Sequence, residues 1–270
     1  MTDKRHLRFT AFTRISIVFI FANMIWIFIN LLNTYVSDGE YDRFSHFMMG
    51  LSITTLTILL LVISCRIENS SWFELGMANF KSNLYAFLFG LIIWLLPASI
   101  GTLILVSLNM IEIAVISSWK EIFIHCFILS FTVFLIEALP EELIFRGYIF
   151  SKLQKMFKNN LVILLQMLLF TIFGFIIGSI YSVEQFLFIP GFAFILGYFR
   201  AKAQNIWLPI GFHLAIMTVT QLLNTIHKHL EVDNFFTLQF AAFILLPSTT
   251  GAILLNMEWI KRRILPLVNS

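Results

Sequence analysis

The chain has 270 residues, of which 59% are hydrophobic and only 12% are charged, and its mean hydropathy is +0.88. Soluble domains are about half apolar and about a quarter charged, so this composition excludes an ordinary soluble protein and predicts an integral membrane protein. The net charge is only +3, and no nucleic-acid partner is expected from it.

Eight apolar stretches are candidates for membrane-crossing helices, each of which needs about 20 mostly apolar residues. The predicted fold is therefore all-α, a single membrane domain over residues 1–270 with about eight transmembrane helices in one bundle. The sixth stretch is short, and it is either re-entrant or begins earlier, near Val183. The predicted spans are 15–36, 47–64, 84–108, 121–139, 161–180, 187–199, 206–223 and 236–257.

The basic residues predict how these spans are oriented. If both termini lie inside, every Lys and Arg falls on the inner side except Arg43, Lys120 and Lys228, which is the bias that the positive-inside rule describes. We therefore expect a multi-pass plasma-membrane protein with both termini in the cytoplasm and with membrane lipid as a partner. An Ile-, Phe- and Lys-rich chain for which no cleaved targeting segment is expected suits a bacterial membrane.

The polar segments between the spans suggest little chemistry. The segment 109–120 is expected to hold a short interfacial helix. Lys152, Lys155 and Lys158 form a basic edge that is expected to contact anionic headgroups. Cys65 and Cys126 lie on different predicted helices without CxxC spacing, so neither a disulfide nor a thiolate metal site is expected.

The chemically richest stretch follows the fourth predicted span and contains Glu137, Glu141, Glu142 and Arg146. A charge at the centre of a spanning helix costs about 2.5–3.5 kcal/mol on insertion scales, so a functional site is the first interpretation of this cluster. The alternative is that the glutamates merely end the helix among the headgroups. Glu142 and Arg146 are four residues apart and share a helix face, so Arg146 is expected to hold Glu142 while Glu141 points elsewhere.

His213 lies on the seventh predicted span, which enters from the same side of the membrane as the glutamates. We expect its ring to face them in a cavity open to the cytoplasm, and a structural histidine is the alternative. His125 precedes Glu141 by about 24 Å of helix, so it is expected near the other face of the membrane and outside this site.

These residues resemble a known family. Glu141, Glu142 and Arg146 match the EExxxR signature of the CAAX-processing and bacteriocin-processing (CPBP) intramembrane proteases, and the run from Gly197 to His213 is similar to the approach to that family's last histidine motif. The family-like core covers residues 121–223. The resemblance implies an all-helical membrane enzyme, similar to CAAX prenyl proteases, that cleaves a peptide or membrane-protein substrate on the cytosolic side.

By the same resemblance, Glu141 is the general base that activates water, Glu142 is a second acid held by Arg146, and His213 is an electrophilic group. The cofactor is unknown: a divalent metal is suggested by the resemblance alone, and the HExxH spacing of zinc peptidases is absent from the sequence.

The chain departs from the family pattern at two positions, where an FxxxH motif ends in Gly174 and an HxxxN motif ends in Met217. These changes remove an imidazole and a hydrogen-bonding side chain, and the loss of one oxyanion donor costs about 100- to 1,000-fold in rate in other enzymes. One alternative is therefore a catalytically impaired regulator or bacteriocin-immunity protein. Paired carboxylates also suit an ion-coupled transporter, although no inverted repeat is evident.

Overall fold

The computed structural model describes residues 2–37, 42–223 and 229–269, and Lys228 of the topology prediction lies outside these ranges. Nearly all of the described chain is helical, which confirms the all-α prediction. The α-helices are α1 (Thr2–Ser37), α2 (Arg43–Ile67), α3 (Phe80–Ser107), α4 (Trp119–Val133), α5 (Leu139–Glu142), α6 (Phe150–Gln154), α7 (Asn159–Ile176), α8 (Val183–Ala203), α9 (Trp207–Leu222), α10 (Phe235–Thr237), α11 (Leu246–Asn256), α12 (Glu258–Arg263) and α13 (Leu265–Asn269).

Three segments of the described chain have the wider π-helical form, in which a carbonyl pairs with the N–H five residues later. They are Phe134–Ala138, Leu143–Ile149 and Leu238–Leu245, and a single 3-10 turn covers Trp72–Leu75 within the described residues. The first two π segments flank α5, so α4 to α6 form one helical stretch, Trp119–Gln154, with two changes of pitch inside it.

Seven helical stretches among the described residues are long and apolar enough to cross a membrane, which makes the chain a multi-pass membrane protein. The predicted seventh span corresponds to α9, which is apolar but has only 16 residues. The predicted sixth span begins at Val183, the earlier of its two proposed starts. The stretches are Thr10–Tyr35, Arg43–Ile67, Trp72–Ser107, Trp119–Gln154, Asn159–Ile176, Val183–Ala203 and Phe235–Asn256.

The predicted interfacial helix at 109–120 is wrong. Ile113–Val115 instead forms strand β1, which pairs antiparallel with strand β2 (Leu230–Val232). Two of the three β1 residues are β-branched and favour extended backbone, and the partner strand lies more than a hundred residues later, where a local reading of the sequence could not find it.

The chain divides into two compact units, and the prediction that residues 1–270 form one domain stays a prediction. The first unit comprises Met1–Met77 and Leu135–Ile206, and the second comprises Ala78–Phe134 and Trp207–Ser270. The predicted site residues are divided accordingly: the glutamates and Arg146 belong to the first unit and His213 to the second.

Aromatic side chains form the core of the first unit. The ring of Phe145, which is fully buried, lies 5.0 Å from that of Phe170 and 5.2 Å from that of Phe173, measured between centroids. Trp26 of α1 meets Phe173 edge-on at 5.1 Å. Tilted and edge-on contacts at these distances are the favoured ones for aromatic pairs, so the π segment that carries Arg146 is packed firmly against α7.

Two glycines bring α3 and α9 together in the second unit. A Cβ on Gly90 would lie 2.1 Å from the carbonyl oxygen of Leu208, and one on Gly211 would lie 2.2 Å from that of Phe87. Small residues at helix contacts allow backbones to approach closely inside membranes. The helix that bears His213 is therefore fixed against α3 by backbone contact.

Candidate active site

Glu141 and Glu142 lie inside a continuous helix and not at its end, which corrects the expectation from the sequence. They occupy the last two positions of α5, a four-residue piece that begins after the first π segment with Pro140 in its second position. The helix continues through the second π segment to Gln154. π turns inside α-helices are frequent at functional sites, and here one lies on each side of the two carboxylates.

Glu142 and Arg146 form the ion pair that their spacing predicted. Nη1 of Arg146 donates to Oε1 of Glu142 at 2.9 Å, and both side chains are completely buried. Moving two charges out of water carries a large desolvation cost, which is recovered only with good geometry and additional hydrogen bonds. The stability of this pair therefore depends on what else surrounds the guanidinium.

The guanidinium of Arg146 is held by α7 and α8 as well. Nη2 donates to the carbonyl oxygen of Ala193 at 3.1 Å, and the group lies over the ring of Phe170 with Cζ 4.5 Å from the centroid. The same carbonyl accepts a second hydrogen bond, at 2.8 Å, from Nε2 of Gln166. Arg146 thus has a carboxylate, a carbonyl and an aromatic ring as partners, which fixes its orientation.

Gln166 is a polar residue of this site that the sequence analysis missed. It is fully buried, and its Nε2 also donates to Ile163 O at 3.0 Å. A Cβ on Gly197 would lie 2.2 Å from this amide nitrogen, so a glycine at 197 makes room for the side chain. An isolated glutamine in the apolar run of α7 was the available signal, because unpaired polar groups are costly inside a membrane.

The two glutamates have different surroundings. Glu142 is completely buried in the ion pair, whereas Glu141 retains 7% exposure and takes no part in that pair. Adjacent residues of a helix point about 100° apart, so the two side chains leave the helix in different directions. Glu142 is bound to Arg146, and Glu141 is directed to a different side of the helix.

His213 lies in the second unit, near the middle of α9, and is 1% exposed. Its helix is the one fixed against α3 through Gly211. The predicted meeting of its ring with the carboxylates of the first unit stays a prediction.

The two positions that depart from the family pattern have apolar neighbours. The atoms nearest to a Cβ built on Gly174 belong to Ile180 and Ile189, at 3.6 Å. Met217 packs against the buried cluster that includes Leu129 and Val133 of α4. Each position is thus occupied by ordinary hydrophobic packing within its own unit.

A second polar cluster in the first unit surrounds Glu68, at the end of α2. The hydroxyl of Tyr148 donates to this carboxylate, the ammonium of Lys152 forms an ion pair with it, and Arg14 lies 3.8 Å from it. The side chain of Lys152 is only 9% exposed. The prediction that Lys152 is a headgroup anchor is therefore wrong, because its charge is used inside the protein.

His125 has its own partners in the second unit. Its Nδ1 lies 2.8 Å from Nε2 of His229, whose Nδ1 lies 2.9 Å from Oγ of Ser117. The three side chains join the start of α4 to the segment that enters β2. Within either unit, the described residues contain no cluster of three His, Cys, Asp or Glu side chains placed to hold a metal ion.

Comparison with known families gives a match in the middle of the chain. Residues 123–219 match the family described as Rce1-like, type II CAAX prenyl endopeptidase Rce1-like. The matched segment contains Glu141, Glu142, Arg146 and His213, and it confirms the resemblance seen in the sequence motifs. Searches of curated proteins and of solved structures each found no match.

Proposed function

We propose, from the Rce1-like family to which residues 123–219 are assigned, that this protein is a membrane-embedded endopeptidase of the CAAX prenyl protease type. Its substrate would be a peptide, or the end of a membrane protein, whose prenyl group or apolar sequence keeps it at the bilayer. The observation that carries the proposal is the pair of adjacent buried carboxylates, Glu141 and Glu142, of which Glu142 is held by Arg146.

In the proposed reaction Glu141 is the general base. It takes a proton from a water molecule whose oxygen then bonds to the scissile carbonyl carbon, and the negative charge passes to the carbonyl oxygen. The C–N bond breaks as the proton is delivered to the leaving amine. A base held at hydrogen-bond distance from its water contributes about 10²- to 10⁴-fold to such a step.

Arg146 and His213 have supporting parts in this proposal. The guanidinium compensates the charge of Glu142, the carboxylate next to Glu141 in the chain. His213 is assigned to the developing oxyanion by family resemblance, and this assignment requires its ring to reach the site.

A turnover assay tests the proposal. Purified protein in lipid vesicles is incubated with a farnesylated C-terminal CAAX peptide, and the released tripeptide is quantified by mass spectrometry. We expect Glu141→Gln to reduce kcat by at least about 100-fold, while Glu258→Gln, which removes an exposed carboxylate of α12, leaves it unchanged. Equal rates for the wild type and Glu141→Gln would refute the assignment of the base.

The apolar packing at Gly174 and Met217 favours a second candidate, a regulator or immunity protein that binds a membrane partner without cleaving it. This candidate predicts a partner that is retained equally by the wild type and by Glu141→Gln, together with the absence of tripeptide release. The same two proteins therefore separate the candidates.

A further inference from the structure

The helix that carries the two glutamates is held at both ends by side chains from other helices. At the first π segment, the carbonyl oxygen of Leu135 accepts a hydrogen bond from the hydroxyl of Thr54 on α2. At the second, the carbonyl oxygen of Arg146 accepts one from Nε of Arg200 on α8, at 2.9 Å. Both donors are buried, with 6% and 2% of their surfaces exposed.

The first contact follows from the proline that precedes the glutamates. In a π turn the partner of the Leu135 carbonyl is the N–H five residues later, and that residue is Pro140, which has no N–H to give. Thr54 supplies a donor from outside the helix. The approach of α2 is possible because Gly50 lies one turn earlier, where a Cβ would come within 2.9 Å of Cγ1 of Ile136.

The second contact follows from the changed pairing of Phe150. In an α-helix its N–H would bond to the carbonyl of Arg146, four residues earlier. Here it bonds to the carbonyls of Phe145 and Gly147 instead, and the Arg146 carbonyl accepts from Arg200. The guanidinium of Arg200 is kept in place by the ring of Phe150, 5.2 Å from Cζ to the centroid.

The register of these π turns determines the direction of both carboxylates. Each residue added to or removed from a helical turn rotates the side chains that follow it by about 100° about the helix axis. Since the Ala193 carbonyl and the Phe170 ring that receive Arg146 lie on other helices, a register change in the first π segment would redirect Glu141 and move Arg146 away from these partners. A register change between Glu142 and Arg146, in the second π segment, would separate the ion pair.

We propose that Thr54 and Arg200 are positioning residues for the catalytic glutamates, in that their hydrogen bonds fix the two π turns on either side of α5. This inference rests on the proposed endopeptidase function for its catalytic consequence, and on backbone geometry alone for its structural one. The structural consequence can therefore be measured whether or not the protein cleaves peptides.

Three variants of α2 test the inference. Thr54→Val removes the hydroxyl at nearly constant volume, and Thr54→Ser restores it. Thr57→Val is the matched control, because Thr57 is also buried on the same helix and its hydroxyl makes no hydrogen bond among the described residues. We expect Thr54→Val to lower kcat about 10- to 100-fold, the scale of a misplacement of about 1 Å, with KM within about twofold. Thr54→Ser and Thr57→Val should keep the wild-type kcat.

Hydrogen–deuterium exchange gives the readout that does not need activity. The backbone amides of residues 135–143 should exchange about 3- to 10-fold faster in Thr54→Val than in the wild type, the range expected from one lost hydrogen bond. Those of Thr54→Ser and Thr57→Val should match the wild type. In Arg200→Lys, which lacks the Nε donor, the faster exchange should fall on residues 146–151.

The outcomes separate the two proposals. Faster exchange at 135–143 without any turnover by the wild type would sustain the positioning of α5 and remove the endopeptidase. Unchanged exchange in Thr54→Val would overturn the positioning role, as would an equal loss of kcat in Thr57→Val. A lower melting temperature in Thr54→Val with unchanged kcat per folded molecule would show a merely structural contact, which also contradicts the inference.

Discussion

Replacing each of the two adjacent glutamates by glutamine should affect a different property of the protein. Glu142→Gln should lower its stability, and Glu141→Gln should lower its activity. Glu142→Gln leaves the guanidinium of Arg146 charged and completely buried without its carboxylate. Glu141→Gln removes a carboxylate that lies outside this pair. The first change is therefore expected to destabilise the protein, and the second to abolish turnover while the fold is retained.

The size of the effect follows from the contacts of Arg146. Removal of one partner from a buried ion pair costs about 3–5 kcal/mol. The glutamine oxygen can still accept from Nη1, and the bond to Ala193 O at 3.1 Å is untouched, so we expect the lower value, about 3 kcal/mol. At about 2–4 °C per kcal/mol for chains of this size, the melting temperature should fall by about 6–12 °C. For Glu141→Gln we expect a change within about 1 kcal/mol.

Thermal unfolding of the purified variants in one detergent, followed by circular dichroism at one scan rate, measures the difference. A double variant, Glu142→Leu with Arg146→Met, is the control, because replacement of a whole buried pair by apolar side chains is often neutral or stabilising. It should recover most of the lost stability without recovering activity. A fall in melting temperature for Glu141→Gln as large as that for Glu142→Gln would refute the assignment of the pair.

Two further contacts can be tested in the same way. Gly211→Ala would place a methyl group 2.2 Å from a backbone oxygen of α3, so we expect a marked loss of folded protein in size-exclusion chromatography. Gly191→Ala is the control, because a Cβ at that position meets nothing within 4 Å, and it should behave as the wild type. His229→Phe removes the hydrogen bonds to His125 and Ser117 and should lower unfolding stability by about 1–3 kcal/mol; an unchanged melting temperature would contradict the role of these contacts.

The parts of the structure that were predictable from the sequence are those that depend on local spacing or on bulk composition. An apolar content of 59% is sufficient to indicate membrane helices, because a lipid environment demands it. The ion pair of Glu142 and Arg146 was predictable because residues four apart on a helix are neighbours. The ends of the helices were harder to predict from the sequence. The segment from Glu141 to Gln154 looked like the end of a helix, because charged residues and a proline occur there together.

The remainder depended on partners that are distant in the chain. Lys152 looked like a surface anchor because its neighbours in sequence are basic, while its actual partner, Glu68, lies at the end of another helix. Gln166 lacked any nearby polar residue that would have drawn attention to it. The π turns leave no mark on apolar periodicity, and the side chains that bond to their carbonyls, Thr54 and Arg200, lie on other helices.

The buried pair also bears on the choice between hydrolase and regulator. Apolar residues at 142 and 146 would serve folding as well or better by about 1–4 kcal/mol, and a protein that only binds a partner through lipid-facing surfaces has no need of a charged core. The network of Glu142, Arg146, Gln166 and the Ala193 carbonyl is costly to assemble and serves to fix one helix in one rotation. A fixed rotation of the helix also fixes the direction of the neighbouring side chain, Glu141, as a catalytic base would require. The packing at Gly174 and Met217 favours the regulator, while the network around Arg146 favours the proposed hydrolase.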